Sequence, residues 1–561
     1  MKDFKIGSLE QRLLKKMVSS WIPCHKSLLI LLIPLFLSSF IHLFNPIGFP
    51  WIHEDEGHYM RRAMHVLQGL GAQETTLDFD HPHDHPYFGQ LFLASVLNVI
   101  GYPHTLDLSS SDSQESVGIF YLAPRILMGL LAIVDTFLVY KIAERKYDIN
   151  IALIASVLFA VMPLTWLLRS IFLDNILLPF LLLSILCGLY GKDTKKEKLY
   201  SNKGRHLQHS NRKTILVMLS GIFMGLAIFT KIPACMMIPL VAFIIYRHNN
   251  KNTRHLAIWF ISVVTIASIW PLYNIWSGQF DDWLEGVMWQ TTERPEKPLL
   301  NSLIAMMNID PVLIILGIAG LVYAALLEIG NRNYFITLWI IPYLIFLYLV
   351  GWVSYFHWII LVPGLAISGA ILIKGVLDKT IDGGRKHIGT ISYNTMIIVS
   401  VIGIFGLLSS TMLVRIDATS SYFELYSFIV QQLTENDQDK GSFDGKPGTT
   451  IIGHRWTWAF TWIPRYIFHD RISFVHFNSS ERLETERFLL IVDNYVKRHL
   501  SDKNSEGIKM AQALYNDSHA IKTFEDKTII PYGKDTYPFT SMSENRGIGR
   551  YSPVEIRTNT K

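Results

Sequence analysis

Near the start of the chain, His53-Glu54-Asp55-Glu56-Gly57-His58-Tyr59 places three consecutive carboxylates between two imidazoles, just after the first apolar run. Carboxylates are costly to hold at a membrane edge and commonly serve chemistry or ion binding there. One of them can act as a general base that removes a proton from an acceptor hydroxyl. Zinc-protease chemistry is excluded by spacing. A zinc helix needs His-Glu-x-x-His, and here Gly57 holds the place of the second His while His58 comes one residue late. The helical pattern 59–67 that follows ends at Gly69 and Gly71, so the carboxylates also stand at a helix N-terminus, where the dipole favours them. A single residue suffices as a cap, and Glu54 is read as that residue.

Three further constellations carry charge or polarity in unusual places. Asp78-Phe79-Asp80-His81-Pro82-His83-Asp84-His85-Pro86 alternates Asp and His. Asp78 and Asp80 can bind a divalent metal, or the segment is a polar loop held by its prolines. Arg125, Asp135, Arg169, Asp174 and Lys231 lie in or beside apolar runs, where charges need partners or a function. Arg125, Arg169 and Lys231 can hold a phosphate, the arginines in bidentate fashion. The competing reading is helix-to-helix pairing, for example Arg169 with Asp174. The loop 277–309, with Trp283, Trp289, Arg294, Pro295 and Pro298, suits an interfacial aromatic belt, and also a sugar or lipid headgroup.

The elements that must position these residues are membrane spans. The chain has 561 residues, 50% hydrophobic and only 17% charged, where a soluble chain carries roughly 25% charged residues. Long apolar runs alternate with short charged loops, the pattern of a polytopic membrane protein, so the net charge of +5 does not point to nucleic acid. The basic segment 1–26 is expected to be cytoplasmic, followed by a retained first helix rather than a cleaved signal. Spans are predicted at 27–45, 119–140, 150–168, 171–190, 214–230, 233–247, 256–276, 311–328, 334–350, 356–374 and 394–413, about eleven in all. Loop 191–213 is rich in Lys and Arg, whereas loop 48–118 has only Arg61 and Arg62 as cations against ten Asp and Glu. The positive-inside rule therefore puts the acidic loop outside, and reads 87–102 as an interfacial helix. An odd span count also puts 415–561 outside. There Thr450-Ile451-Ile452-Gly453, Ile472-Ser473-Phe474-Val475 and Phe488-Leu489-Leu490-Ile491-Val492 read as strands of a small α/β domain after a polar linker at 436–448. The three cysteines, Cys24, Cys187 and Cys235, form neither a metal motif nor a disulfide framework.

The order of these features resembles the protein O-mannosyltransferase-like branch (glycosyltransferase family 39) of the GT-C membrane glycosyltransferases, over roughly 27–375. Asp55-Glu56-Gly57-His58-Tyr59 is similar to that family's Asp-Glu motif. His85-Pro86-Tyr87-Phe88-Gly89-Gln90 is similar to its His-Pro-Pro-Leu-Gly-Lys element, with Tyr87 for the second Pro and Gln90 for the Lys. Arg169 to Asp174 resembles its Arg-Ile-x-x-Leu-Asp turn, and Thr230-Lys231-Ile232-Pro233 the Thr-Lys turn of related lipid-linked sugar transferases. Tyr355-Phe356-His357-Trp358 with Pro363 resembles a late aromatic-Pro span. The resemblance implies a mainly α fold with a transmembrane domain over 27–414, and a polyprenyl-phosphate donor carrying mannose or a similar hexose. It also implies transfer on the outer face of the cell membrane. The acceptor is not carried over from it; a hydroxyl of a protein or lipid is expected. The resemblance makes Asp55 the base and Glu56 its assistant, with His85, Arg125, Arg169, Asp174, Lys231, Tyr355 and His357 as substrate contacts. No cofactor is required by it, although a divalent metal at Asp78 and Asp80 is compatible. Segment 415–561 lacks the β-trefoil-like insertion of eukaryotic protein mannosyltransferases. Two rival readings remain: a metal-dependent oligosaccharyltransferase-like enzyme using Asp78, Asp80 or Glu54, and a lipid-linked sugar transporter or flippase using the intramembrane charges.

Overall fold

The computed structural model describes residues 29–71, 83–102, 104, 113–191, 205–248, 253–294, 296–331, 334–380, 391–417, 419–438, 449–454, 458–468, 472–477, 487–500, 506–525 and 553–559. Asp78, Asp80, the N-terminal segment 1–26 and most of the basic loop 191–213 lie outside these residues.

The described residues are mainly helical. Helix α1 (Leu29–Leu43) leads through a loop to α2 (Glu54–Leu67), which carries the acidic triplet in its first turn. Then come α3 (Phe88–Val99), α4 (Ser113–Lys146), α5 (Ile149–Val161), α6 (Leu173–Tyr190), α7 (Arg205–Thr230), α8 (Ile238–His248) and α9 (Thr253–Ala267). They are followed by α10 (Ile269–Trp276), α11 (Phe280–Met288), α12 (Leu299–Ile309), α13 (Pro311–Asn331), α14 (Phe335–Val350), α15 (Val362–Thr380) and α16 (Tyr393–Val414). By length and composition, six of the described helices can cross a membrane, or seven if a bent pair is one span.

The expected spans are altered where proline or charge interrupts the chain. Segment 150–168 is not one helix: α5 stops at Val161, and a 3-10 turn, Pro163–Arg169, leaves it at 68°. Pro163 has no N–H to continue the ladder, and the amide of Leu164 is taken up instead by the buried carboxylate of Asp310 at 3.1 Å. Lys231 likewise precedes a 3-10 turn, Ile232–Met237, and Tyr355–Ile360 is a third such turn before α15. Helix α3 has twelve residues, too short to cross a bilayer alone. The second span begins earlier than expected, so Arg125 lies well inside α4 instead of opening it.

After α16, helix α17 (Ser420–Gln438) runs into a five-stranded sheet of β1 (Thr449–Gly453), β2 (Ile472–His476), β3 (Phe488–Val492), β4 (His519–Phe524) and β5 (Val554–Thr558). Helix α18 (Trp458–Phe468) lies between β1 and β2, and α19 (Asn494–His499) and α20 (Glu506–Asn516) between β3 and β4. The order is β2-β1-β3-β5-β4; β1 is parallel to β2 and β3, and β5 is antiparallel to β3 and β4. The three strands expected from the sequence are β1, β2 and β3. Their apolar runs stand out because β1 and β3 are buried along their whole length. Leu489 and Ile491 join the large core shared with the helical body, and Phe488, Leu490 and Val492 face a smaller core under α19 and α20. The more polar β4 and β5 were not legible, because β4 is almost entirely exposed.

Candidate active site

The acidic triplet separates into three environments. His53, not Glu54, caps α2: its Nδ1 accepts from the Asp55 amide at 3.2 Å, and Glu56 reaches back to accept from the His53 amide at 3.0 Å. Glu56 is completely buried and fully engaged. Arg125 donates to it twice, at 2.7 and 3.0 Å, and the Ile171 amide donates at 2.9 Å. Asp55 has a side chain 26% exposed, with His53 Nδ1 3.7 Å from its Oδ2.

Two of the three cations expected at a phosphate have another task. Arg125 holds Glu56 and also donates to the carbonyls of Pro46, Pro50 and Trp51, at 3.0, 2.5 and 3.3 Å. Arg169 donates to the carbonyls of Ile41, Phe44, Asn45 and Phe49, closing the C-terminal end of α1 and the loop behind it. A guanidinium with this many backbone acceptors has no fork to present to a phosphate. Nor does Arg169 pair with Asp174. Lys231 does so, at 2.6 Å, while its ammonium also lies 4.4 Å from the Phe356 ring centre.

The His-Pro element is brought against this group. His85 is mostly buried beside Asp84, with a 3.8 Å separation, and its ring centre is 6.4 Å from that of Tyr59. Asp84 itself pairs with Arg62 of α2 at 2.9 Å. Gly89 is needed where α3 meets two other elements: a methyl group there would lie 2.5 Å from Leu173 Cδ2 and 3.1 Å from Thr230 Cγ2. The late aromatic segment forms the opposite wall. Tyr355 sits edge-on to His53 at 5.6 Å and beside Trp166 at 5.8 Å. His357 Nδ1 accepts from the Ser354 amide at 3.1 Å, capping the 3-10 turn.

A cationic patch that the sequence reading did not assign completes the site. A π-helical turn, Trp289–Glu293, presents Arg294 between the rings of Trp289 and Trp352, at 4.7 and 4.1 Å. Lys297 pairs its backbone with Gly351 and Val353, at 2.8 and 2.9 Å, and its ammonium donates to Ser354 Oγ at 3.2 Å. Lys231, Arg294, Lys297 and His85 all exert their charge on His357. In the sequence these cations are spread from 231 to 297 among tryptophans, so no local pattern marks them as a group. The only signal was an Arg between aromatic residues.

Electrostatics divide the titratable groups cleanly. Burial pushes Asp55 upward, but His53, His58, Lys231 and His85 outweigh it and hold the carboxyl below its ordinary value of 3.8. Asp84 is buried too, yet Arg62 brings it down to about 2. Burial, with the nearby arginines, lowers His58 to about 3 and His85, near Lys231 and Arg294, to about 4. Above these values Asp55 is ionised and both imidazoles are neutral. A depressed carboxyl keeps its base form until the pH falls through its own pKa. The pH profile of kcat/KM is therefore expected to be flat from about pH 5 to 8, with no loss on the acid side. A midpoint at about pH 6 to 7 would assign the base to a histidine of ordinary pKa instead.

Among the described residues, no group of three or more His, Cys, Asp or Glu is placed to hold a metal ion. Asp78 and Asp80 lie outside them.

Solved structures share this fold. The archaeal oligosaccharyltransferase AglB from Archaeoglobus fulgidus, solved with an inhibitory peptide and a dolichol-phosphate, superposes with a TM-score of 0.53 at 12% identity, covering 93% of this chain and 78% of that one. ArnT from Cupriavidus metallidurans in the apo state gives a TM-score of 0.52 at 11% identity, over 97% of this chain and 98% of that one. Its complex with undecaprenyl phosphate gives 0.50. No curated protein sequence matches. The chain thus shares the fold of these two proteins. Residues 78–273 match the family model described as dolichyl-phosphate-mannose-protein mannosyltransferase.

Proposed function

We propose that the chain is a glycosyltransferase that moves mannose or a similar hexose from a polyprenyl phosphate to an acceptor hydroxyl of a protein or lipid. Asp55 removes the acceptor proton, the freed oxygen attacks the anomeric carbon, and the bond from that carbon to the phosphate oxygen breaks. The electron pair leaves with the polyprenyl phosphate, and attack from the face opposite it inverts the anomeric centre. Lys231, Arg294 and Lys297 stabilise the phosphate as its charge grows. Tyr355, His357 and His85 line the sugar and headgroup space, while Glu56, Arg125 and Arg169 hold the loop that carries the base. The asymmetry of basic and acidic loops supports an extracytoplasmic position for this chemistry and for the segment 415–561.

The observation that carries this reading is a partly exposed Asp55 within reach of the charge of Lys231, which acts together with Arg294 and Lys297 on His357. The family match over 78–273 supports mannose and the acceptor hydroxyl. The lipid phosphates in the similar AglB and ArnT structures support the donor class.

The test is turnover by the protein in proteoliposomes supplied with polyprenyl-phosphate mannose and glucose. Release of polyprenyl phosphate coupled to a glycosylated acceptor supports the reading, whereas donor movement across the bilayer without bond cleavage would replace it with a transporter. In the same assay Arg294→Ala is expected to raise the donor KM about tenfold, as loss of one charge-assisted phosphate contact does. An unchanged KM would remove Arg294 from the phosphate site.

A further inference from the structure

Glycine in a helix interior weakens it relative to alanine, yet Gly57 stands inside the first turns of α2, two residues after Asp55. Close approach explains it. A methyl group at Gly57 would lie 2.5 Å from the carbonyl oxygen of Ala459, 2.6 Å from its Cα and 2.8 Å from its carbonyl carbon. These are backbone atoms of α18, and no side-chain rotation can relieve the contact.

Helix α18 is itself firmly seated. Tyr121 of α4 donates its hydroxyl hydrogen to the Ala459 carbonyl, and Trp462 Nε1 donates to the Tyr121 oxygen at 2.8 Å. Phe460 stacks with Tyr422 and Tyr426 at 5.6 and 5.2 Å, and Trp462 meets Phe120 edge-on at 5.3 Å. Tyr121 is one turn before Arg125, so a single turn of α4 grips both α18 and, through Glu56, the start of α2. The residues that lead into the acidic loop are tied to the same part of the chain. Asn45 Nδ2 donates to the carbonyls of Val414 and Ile416, at 2.9 and 3.1 Å, and Thr419 Oγ1 donates to that of Ile47.

We infer that the C-terminal segment is a wall of the active site: the α18 backbone at Ala459 sets the position of the Asp55 helix through Gly57, with Tyr121 as the clamp. Gly57 and Tyr121 are positioning residues that act through α18 and do not touch substrate. The inference rests on Asp55 being the base, but its structural half stands apart from activity.

The experiment compares full-length parent, Gly57→Ala, Tyr121→Phe and the double variant in proteoliposomes with polyprenyl-phosphate mannose, together with amide hydrogen exchange of segment 54–60. Gly57→Ala is expected to lower kcat about 10- to 100-fold, with donor KM within about twofold, because the shift of about 1 Å that relieves the contact misplaces the base. Exchange across 54–60 rises in the same variant while α4 and α6 are unchanged. Tyr121→Phe moves both readouts the same way by less. The double variant loses less than the product of the two, because a loosened α18 can yield to the added methyl. Parental exchange across 54–60 in both single variants overturns the inference, as does strict additivity. A parent that turns over no donor overturns the proposed function instead, and the exchange measurement still decides the positioning role. If Gly57→Ala does not fold, Tyr121→Phe carries the test.

Discussion

Asp55→Asn is expected to lower kcat by about 10²- to 10⁴-fold, the range for removing a general base, while donor KM stays near the parent value. Three features give this expectation its size. The substitution keeps shape and volume, and the side chain is partly exposed, so packing is not disturbed. The carboxyl is held below its ordinary pKa by the surrounding His53, His58, Lys231 and His85, so the parent is fully in its base form at neutral pH. Among the described residues two neighbouring carboxylates are already engaged, Glu56 with Arg125 and Asp84 with Arg62, so neither stands in for it. Single-turnover transfer from polyprenyl-phosphate mannose, with thermal unfolding as a control, measures the effect. A rate within about threefold of the parent would remove Asp55 from the mechanism.

Glu56→Ala is expected to fail differently, by about 3–5 kcal/mol of stability, because it leaves Arg125 buried and unpaired. Arg125→Met should cost a similar amount through the uncompensated Glu56, and would also release the carbonyls of Pro46, Pro50 and Trp51. Removing both partners, as in Glu56→Gln with Arg125→Met, should recover part of the loss, since no buried charge then lacks a counter-ion. Unfolding temperatures in a defined detergent would show the order. A Glu56→Ala protein as stable as the parent and yet inactive would return Glu56 to the chemistry.

These two residues also mark where sequence reading ends. Asp55 and Glu56 are adjacent and chemically alike, and nothing local separates them. Helix geometry does: successive residues are turned about 100° apart, so one carboxylate stays partly exposed and the other is buried against Arg125. Arg125 and Arg169 present the same problem. Each is an Arg beside an apolar run, and only the placing of the 45–51 loop around them shows that backbone carbonyls engage their donors. Conversely, Arg294 and Lys297 lie in a segment that reads as an aromatic belt. Their role depends on the π-turn and on pairing with 351–354, which bring together residues more than fifty positions apart.

By itself the sequence determined what local composition can determine. Apolar runs marked a helical membrane body, loop charge suggested its orientation, fully buried runs located β1, β2 and β3, and the Asp-Glu and His-Pro elements pointed to one reacting loop. Each depends on residues within a few positions of one another, and their physics is complete at that range. The tertiary structure decided which charges are buried ties and which are left partly exposed, because desolvation and pairing depend on what packs alongside. It also decided that the residues after 414 brace the acidic loop, through a backbone contact at Gly57 that no side-chain pattern encodes.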